Sequence, residues 1–381
     1  SHPATRLMPT SLQMLSSVVQ EQPRIIALLL PLQGNLAPYG RAIRDGVLGA
    51  HYELAGKAAV RVYDTSALDV SNVIFAAINE GAELIIGPLS RENVTRVVQI
   101  PYLAVPVLAL NRTVDGSTHP DVYQFGLAPE DEMIQVANQI FEEGHRNALA
   151  IYPSDDWGIR NFEAFRTEWE SLGGVIVESA PFSNRRDYSD LIKSVLNVDK
   201  SEQRATNLRR ITGQRFEFNA RRRQDVDFVF LLANQSQARG INPTLAFFFA
   251  EDLPVYSSSH VYEHSKSKID AIDLNGIRFC DIPWKLTRTG PVQEAIQSTW
   301  PAAKAQLAAF YALGVDAYRV FPRLQQLKQI PDQRVFGATG VLRLNERNEV
   351  IRDLMWAQFR EGEIVSAPMV VGTVQRGYVD E

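Results

Sequence analysis

Two histidines and a glutamate in the second half of the chain have the spacing of a zinc site. His260, Glu263 and His264 form the pattern H-x-x-E-H, which on a helix would place two imidazoles one turn apart with the glutamate as general base. The pattern follows the strand-like sequence PVYSSS and precedes the polar sequence SKSKID. Because this context is not helical, we predict no metal site and interpret the segment as a polar loop at the edge of a binding cleft.

Arginine is concentrated in one segment near the middle of the chain. Residues 204–223 contain seven arginines and one glutamate. Guanidinium groups suit bidentate contacts with carboxylates and phosphates, and the segment is longer than the usual connection between a helix and a strand. Two interpretations stay open: a surface for a partner, either an acidic protein surface or the carboxylates of peptidoglycan, or a solvated helix neutralised by neighbouring acids. The partner surface is assigned to Arg209, Arg210, Arg215, Arg221, Arg222 and Arg223.

The interpretation of these arginines as a partner surface can be tested. Changing Arg221, Arg222 and Arg223 together to Ala is expected to weaken partner binding, to flatten its salt dependence and to leave the fold intact. No nucleic-acid partner is predicted, because no recognised binding motif accompanies the arginines.

Signals for catalysis are weak. The sequence has no G-x-S-x-G motif, no phosphate loop ending in Gly-Lys-Ser/Thr and no G-x-G-x-x-G, so we assign no catalytic residues and no cofactor. Of six histidines, only His260 falls in a predicted cleft loop. The single cysteine, Cys280, excludes an intrachain disulfide and a cysteine metal cluster.

The elements that would position these residues begin with a buried strand. Ile25–Leu30 is an apolar run that ends at Pro31, as expected for a parallel strand covered on both faces. Apolar residues then recur at helical spacing over residues 42–50, which places Tyr39 and Gly40 at the start of a helix, where unpaired amides favour anionic groups.

The same alternation continues along the chain and restarts after residue 125, which predicts two similar α/β halves with parallel sheets. A hairpin-rich tail follows a helix over residues 303–318. Its strands are predicted at Gly340–Leu344 and Val350–Arg360, with Asn345–Asn348 as the turn.

In open α/β sheets, ligands bind beyond the carboxyl ends of the strands, so the loops there define a candidate cleft. Two of its residues, Ser90 and Asp155, are equally suited to cap the helices that follow them. Nearby Asp64 is expected to support the turn after its own strand. The cleft residues are Gln33, Gly34, Tyr39, Gly40, Pro88, Leu89, Ser90, Asn111, Tyr152, Asp155, Trp157, Asn234, Ser258 and His260.

Composition sets the broad class. The 381 residues are 45% hydrophobic and carry a formal net charge of −5, which gives no general reason for binding to nucleic acid or to a membrane surface. No apolar run approaches the roughly 20 residues needed to cross a bilayer, and the sequence SHPATRLMPT lacks the apolar core of a signal peptide. We interpret residues 1–23 as a linker in a longer protein.

Several stretches together resemble the type I periplasmic-binding-protein fold, with two Rossmann-like lobes of parallel sheet joined by three crossovers. They are IALLLPLQGNLAPYGRAIRDG, ELIIGPLSRENV, VPVLALNRT and YPSDDWG. With FEFNARRRQDVDFVFLLANQSQAR and FGATGVLRLNERNEVIRDLMWAQFREGEIV, the chain is most similar to the C-terminal domain of the LpoA family, the outer-membrane lipoprotein activators of class A penicillin-binding proteins. The resemblance implies one lobe of residues 24–127 and about 284–336, and another of residues 128–283 and about 337–381.

This resemblance also implies a function. The full-length protein would be anchored by lipid to the periplasmic side of the outer membrane. In the full-length protein, an N-terminal helical-repeat domain would precede this part. The protein would then contact a class A penicillin-binding protein and stimulate its transpeptidase. The alternative is a receptor that closes on an amino acid, a peptide or a cell-wall fragment, with an aspartate such as Asp155 holding an ammonium and Tyr152 or Trp157 stacking on the ligand.

Overall fold

The chain divides into two compact units and passes between them three times. The computed structural model describes residues 23–183, 187–215, 217–263, 271–330 and 333–367. Within those ranges, unit 1 comprises residues 23–128 and 282–354, and unit 2 comprises residues 129–281 and 355–367. The predicted α/β class with three crossovers is confirmed. The predicted linker lies, up to residue 22, outside the described residues.

The sheet of unit 1 has five parallel strands in the order β2-β1-β3-β4-β5. Its strands are β1 (Ile25–Leu30), β2 (Ala59–Asp64), β3 (Leu84–Ile86), β4 (Val107–Ala109) and β5 (Val122–Gln124). The helices between them are α1 (Ala37–Glu53), α2 (Val70–Asn79) and α3 (Arg91–Val98). Successive side chains of β1 enter different apolar clusters: Leu28 packs on the side of α1, and Leu29 on the side of α2 and α3. This double burial explains why β1 is a continuous apolar run.

Later residues of unit 1 complete its core. The helices are α9 (Pro283–Leu286), α10 (Pro291–Thr299), α11 (Ala308–Val320) and α12 (Leu324–Gln329). Helices α1 and α11 pack backbone to backbone: a Cβ on Gly46 would lie 2.3 Å from the carbonyl oxygen of Tyr311, and one on Gly314 would lie 2.2 Å from that of Ile43. Only glycine permits this approach.

A small antiparallel sheet ends unit 1, formed by β11 (Val335–Phe336), β12 (Val341–Leu344) and β13 (Val350–Asp353). The predicted turn is present, since the amide of Asn348 donates to the carbonyl of Asn345 at 3.1 Å. The predicted strand Val350–Arg360 is wrong as one element. Its first part pairs with β12, whereas Met355–Arg360 is a separate strand of unit 2. Residues 337–354 therefore lie in unit 1, and their assignment to the second lobe is corrected.

Unit 2 contains a seven-stranded sheet in the order β15-β14-β10-β9-β8-β6-β7. Strands β14 and β15 run antiparallel at one edge, and the other five pair in parallel. Aromatic rings fill its core, where Phe165 stacks on Phe230 with ring centroids 3.8 Å apart. The strands are β6 (Asn147–Pro153), β7 (Val175–Phe182), β8 (Phe228–Leu231), β9 (Val255–Ser257), β10 (Arg278–Asp281), β14 (Met355–Arg360) and β15 (Glu363–Ser366). The helices are α4 (Pro129–Glu142), α5 (Asp156–Ser171), α6 (Ser189–Val195), α7 (Val198–Thr212) and α8 (Gln235–Phe247).

Candidate functional site

The loops after β1 and β2 are held together by a carboxylate. Oδ1 of Asp64 accepts hydrogen bonds from the amide of Leu32 at 3.0 Å and from the amide of Ser66 at 2.9 Å, and Oδ2 accepts from the side-chain amide of Gln33 at 2.8 Å. The Ser66 hydroxyl is the main cause that lowers the pKa of Asp64 to about 2. The prediction that Asp64 supports its turn is confirmed. The same network engages the side chain of Gln33, the first residue assigned to the cleft.

Tyr39 and Gly40 lie in the first turn of α1, as predicted. A Cβ on Gly40 would lie 2.1 Å from the carbonyl oxygen of Pro31, so glycine is required where the helix meets the end of β1. The ring of Tyr39 packs on Phe310 with centroids 4.6 Å apart. Gly34, at φ 72°, has open space around it.

The next loop of unit 1 uses its polar groups on itself. The hydroxyl of Ser90 caps α3 by accepting from the amide of Asn93 at 3.3 Å. The side-chain amide of Asn111 donates to the carbonyl of Leu89 at 3.0 Å, and that leucine is buried. Pro88 follows a cis peptide bond. The structure thus shows the capping role of Ser90.

Helix caps also account for two polar residues of unit 2. Asp155 accepts from the amide of Gly158 at 2.7 Å at the start of α5. Asn234 forms a reciprocal capping box with Gln237 at the start of α8. Tyr152 stacks on Phe162 at a centroid distance of 4.1 Å, which holds its ring against the unit's own helix.

Three other predicted residues of unit 2 form one polar and aromatic cluster. The ring centroids of Trp157 and His260 lie 4.6 Å apart, and Oγ of Ser258 lies 3.3 Å from Nδ1 of His260. Beside them, the hydroxyl of Ser259 donates to Oε2 of Glu132 at 2.8 Å. Sequence reasoning missed Glu132, a buried acid in the first turn of α4. Its position in an otherwise amphipathic helix was the available signal.

The described part of the zinc pattern does not lie on an α-helix. His260 lies in a 3-10 turn, Ser259–Val261, and His264 lies outside the described residues. Among the residues that the structure describes, no three histidine, cysteine or acidic side chains come together as metal ligands. The described part of the chain also contains no helix that is long and apolar enough to cross a membrane.

The described part of the arginine segment separates into a helical part and a part without regular secondary structure. Helix α7 ends at Thr212, followed by Gly213 in the left-handed conformation. Arg209 and Arg210 in its last turn, and Arg215 beyond it, are exposed. Arg221 is also exposed, and its backbone amide donates to Oγ of Ser201 at 3.3 Å. These four residues are exposed on the surface of unit 2.

The other two assigned arginines are structural, which corrects their assignment to a partner surface. The side chains of Arg222 and Arg223 are only 8% and 11% exposed. Arg222 pairs with Asp252, and Arg223 forms a bidentate pair with Asp225 at 2.7 and 2.9 Å. A third acid, Glu178 of β7, lies 3.1 Å from Arg223. The expectation that a triple Ala variant leaves the fold intact is therefore withdrawn.

Sequence reasoning also missed two apolar residues on α7. Val198, Ser201 and Ala205 form its buried stripe. Leu208 continues that stripe three residues later but is half-exposed, and Ile211 is 77% exposed. The apolar face of α7 thus extends past the part that unit 2 covers, and it does so beside the exposed arginines. The spacing of residues 198, 205 and 208 was the signal.

Comparisons with known proteins agree with this fold. The chain is 30% identical over 374 residues to the penicillin-binding protein activator LpoA of Photobacterium profundum, covering 96% of the chain and 60% of that protein. For the same activator from Vibrio cholerae, identity is 28% over 366 residues, with 94% of the chain and 60% of that protein covered. The chain thus spans about 60% of the length of these curated relatives.

Solved structures of similar fold include LpoA proteins as well. Full-length LpoA from Haemophilus influenzae superposes with a TM-score of 0.74 at 27% identity, over 96% of this chain and 63% of that one. The C-domain of that protein, described as a regulator of PBP1A, superposes with a TM-score of 0.72 at 26% identity, over 90% of this chain and 100% of that one. A putative branched-chain amino acid ABC transporter from Chromobacterium violaceum follows, with a TM-score of 0.66 at 25% identity over 88% of this chain and 99% of that one.

The predicted resemblance is confirmed by the match to a family. Residues 1–362 match the family described as LppC putative lipoprotein. The chain belongs to this lipoprotein family.

Proposed function

We propose that this chain is the C-terminal part of a lipoprotein that docks on a class A penicillin-binding protein and stimulates its peptidoglycan transpeptidase. The observation that carries the proposal is the continuous match over both units to proteins named as penicillin-binding protein activators. The chain also covers the whole of a C-domain described as a regulator of PBP1A. The full-length protein would face the periplasm from the outer membrane, held there by a lipid anchor.

The proposed role is not enzymatic. The polar residues that could have served chemistry in the loops of unit 1 hold the loops together instead, with Asp64 joining two turns and Ser90 capping a helix. A regulator of this kind acts by population shift. It favours the active state of the synthase only if it binds that state more tightly than the inactive one.

We place the docking surface on the exposed end of α7. Ile211 and Leu208 offer apolar area near Arg210 and Arg215 in the sequence, and both arginines are exposed. An apolar centre with arginine around it is typical of protein interfaces. The complementary surface on the synthase would be apolar and edged by carboxylates.

The test is equilibrium binding of this chain to a purified class A penicillin-binding protein from the same source. We expect saturable binding that weakens between 50 and 300 mM salt, together with a faster transpeptidase reaction on lipid-linked precursor. Binding without stimulation would contradict the activator role and leave only a docking role. Lack of both at protein concentrations well above 10 µM would overturn the proposal.

A solute receptor is the second candidate, because the fold is shared with a protein described as a branched-chain amino acid transporter component. In unit 2, the cluster of Trp157, His260 and Ser258 could stack on and hydrogen-bond to an amino acid, a peptide or a cell-wall fragment. A ligand at a hundred times its Kd stabilises the folded state by about 2.7 kcal/mol. A rise in Tm that corresponds to this stabilisation, and that is lost in Trp157→Ala, would favour the receptor. No rise in Tm with a panel of such ligands would count against it.

A further inference from the structure

Unit 1 contains a cavity of about 700 Å³ that the proposed function does not use. It lies where β1 and β3 begin, next to the end of α1, the end of α11 and strands β11 and β12. The loops assigned to the ligand cleft lie at the other, carboxyl ends of β1 and β3. This cavity is therefore a separate site, and its volume falls within the range of small-molecule pockets.

The interior of the cavity is apolar. Ile26, Leu84 and Leu342 line it and belong to the main core cluster of unit 1. At its rim, Leu54 and Phe336 are 54% and 86% exposed. Large apolar side chains left in solvent beside an apolar cavity mark a surface that gains stability when it is covered.

The charged residues of the cavity are mostly basic. Lys57, Arg319 and Arg323 line it, and their side chains make no hydrogen bond or close ion pair with another described residue, although Arg319 interacts electrostatically with Asp316. Among the described residues of the lining, Asp316 is the one acid, and it is fully buried. Its oxygens accept from the amides of Ala338 and Thr339 at 2.7 Å. The lining thus carries three cations against one carboxylate that is already hydrogen-bonded.

We propose that this cavity binds an amphipathic anion, a molecule with an aliphatic chain and a single acidic head group. The aliphatic chain of the ligand would enter the apolar interior between Leu54 and Phe336. The head group would remain at the rim, where Lys57 and Arg323 are exposed to solvent. Cations beside an apolar cavity distinguish such a ligand from an uncharged lipid, which would leave them without a counter-ion. This inference does not depend on the proposed regulatory role.

The experiment uses the whole chain and titrates it with octanoate, decanoate and dodecanoate below their micelle concentrations. Each buried methylene is expected to tighten binding about fourfold, so each step of two carbons gives about a 15-fold gain until the cavity is full. Dodecanol tests the head group, and dodecyl phosphate distinguishes a phosphate-bearing source from a fatty acid. Weaker binding of dodecanol by about tenfold is expected.

Variants locate the site. The double variant Lys57→Gln, Arg323→Gln should weaken dodecanoate binding at least tenfold and leave dodecanol binding unchanged, because only the charged contact is lost. Phe336→Ser should weaken the binding of both dodecanoate and dodecanol, because apolar contact is lost. The controls are Arg204→Gln and Phe247→Ser, which change exposed residues of the other unit. Absence of saturable binding, or binding that the controls weaken as much as the cavity variants, would overturn the proposal.

Discussion

The arginines of residues 204–223 fall into two groups that the fold treats differently. Arg209, Arg210 and Arg215 extend into solvent around the end of α7. Arg222 and Arg223 follow within eight residues of Arg215 and are almost fully covered by ion pairs. Residue type is the same in both groups, so the difference comes from the acids that other elements bring near. Tertiary position therefore acts together with the local acid Asp225 in deciding whether an arginine of this segment is enclosed by ion pairs or exposed.

The largest expected effect comes from removing the more enclosed side chain. Arg223→Ala leaves Glu178 and Asp225 without their shared cation and should lower the free energy of unfolding by about 2 kcal/mol. That is less than the roughly 3–5 kcal/mol for a fully buried pair, because both acids keep contact with solvent. Urea unfolding at neutral pH measures the loss. Arg221→Ala is the control at an exposed position, with an expected change under about 0.5 kcal/mol; equal losses would remove the distinction between the two groups.

The exposed surface at the end of α7 should show the opposite behaviour, because a substitution there is expected to change binding to the synthase and not the stability of the fold. Ile211→Asp places a charge at the centre of the proposed docking surface and should weaken binding to the synthase about tenfold, or about 1.4 kcal/mol. The free energy of unfolding should stay within about 0.5 kcal/mol of the parent. Phe247→Asp is a matched control, since Phe247 is 75% exposed in the same unit. A larger loss for Phe247→Asp would move the docking surface to the end of α8.

A smaller effect is expected from the charges around that apolar centre. Arg210→Ala should weaken binding about threefold at low salt and have less effect at 300 mM salt, because screening removes exposed charge interactions. The slope of affinity against salt concentration measures this change. Arg24→Ala, which removes an exposed arginine of unit 1, should leave the slope unaltered. If both variants have the same slope as the parent chain, the arginines at the end of α7 are solvated and do not contact the partner.

Much of the fold was predictable because it depends on local patterns. The apolar run of β1, the helix start at Tyr39 and the turn at Asn345 each follow from a few neighbouring residues. Contacts between distant segments were not predictable. From the sequence alone, the side-chain amide of Gln33 is available to a ligand. In the structure it donates a hydrogen bond to Oδ2 of Asp64, at the end of β2, at 2.8 Å.

The division of the tail shows the same limit. Residues 350–360 form one apolar-rich stretch in the sequence, but β13 pairs with β12 and β14 pairs with β10. No local signal distinguishes those two partners. The acids that cover Arg222 and Arg223 are likewise supplied in part by distant segments, as Asp252 and Glu178 are.

The smallest predicted effect is a difference in acid stability that isolates one of these pairs. Arg223 is the main cause that lowers the pKa of Asp225 below its ordinary value. A carboxyl whose pKa is lower in the folded state contributes stability above its unfolded pKa, about 4, and that contribution is lost as the pH falls through the folded pKa.

The parent chain should therefore lose slightly more stability than Arg223→Ala between pH 5 and pH 2, so the two curves of unfolding free energy against pH should come closer together toward the acid end. The lowered pKa of Asp64 in unit 1 is common to both proteins and cancels in the difference. Parallel curves would mean that Arg223 stabilises unit 2 through packing of its side chain and its contact with the carbonyl of Val195, and not through its charge.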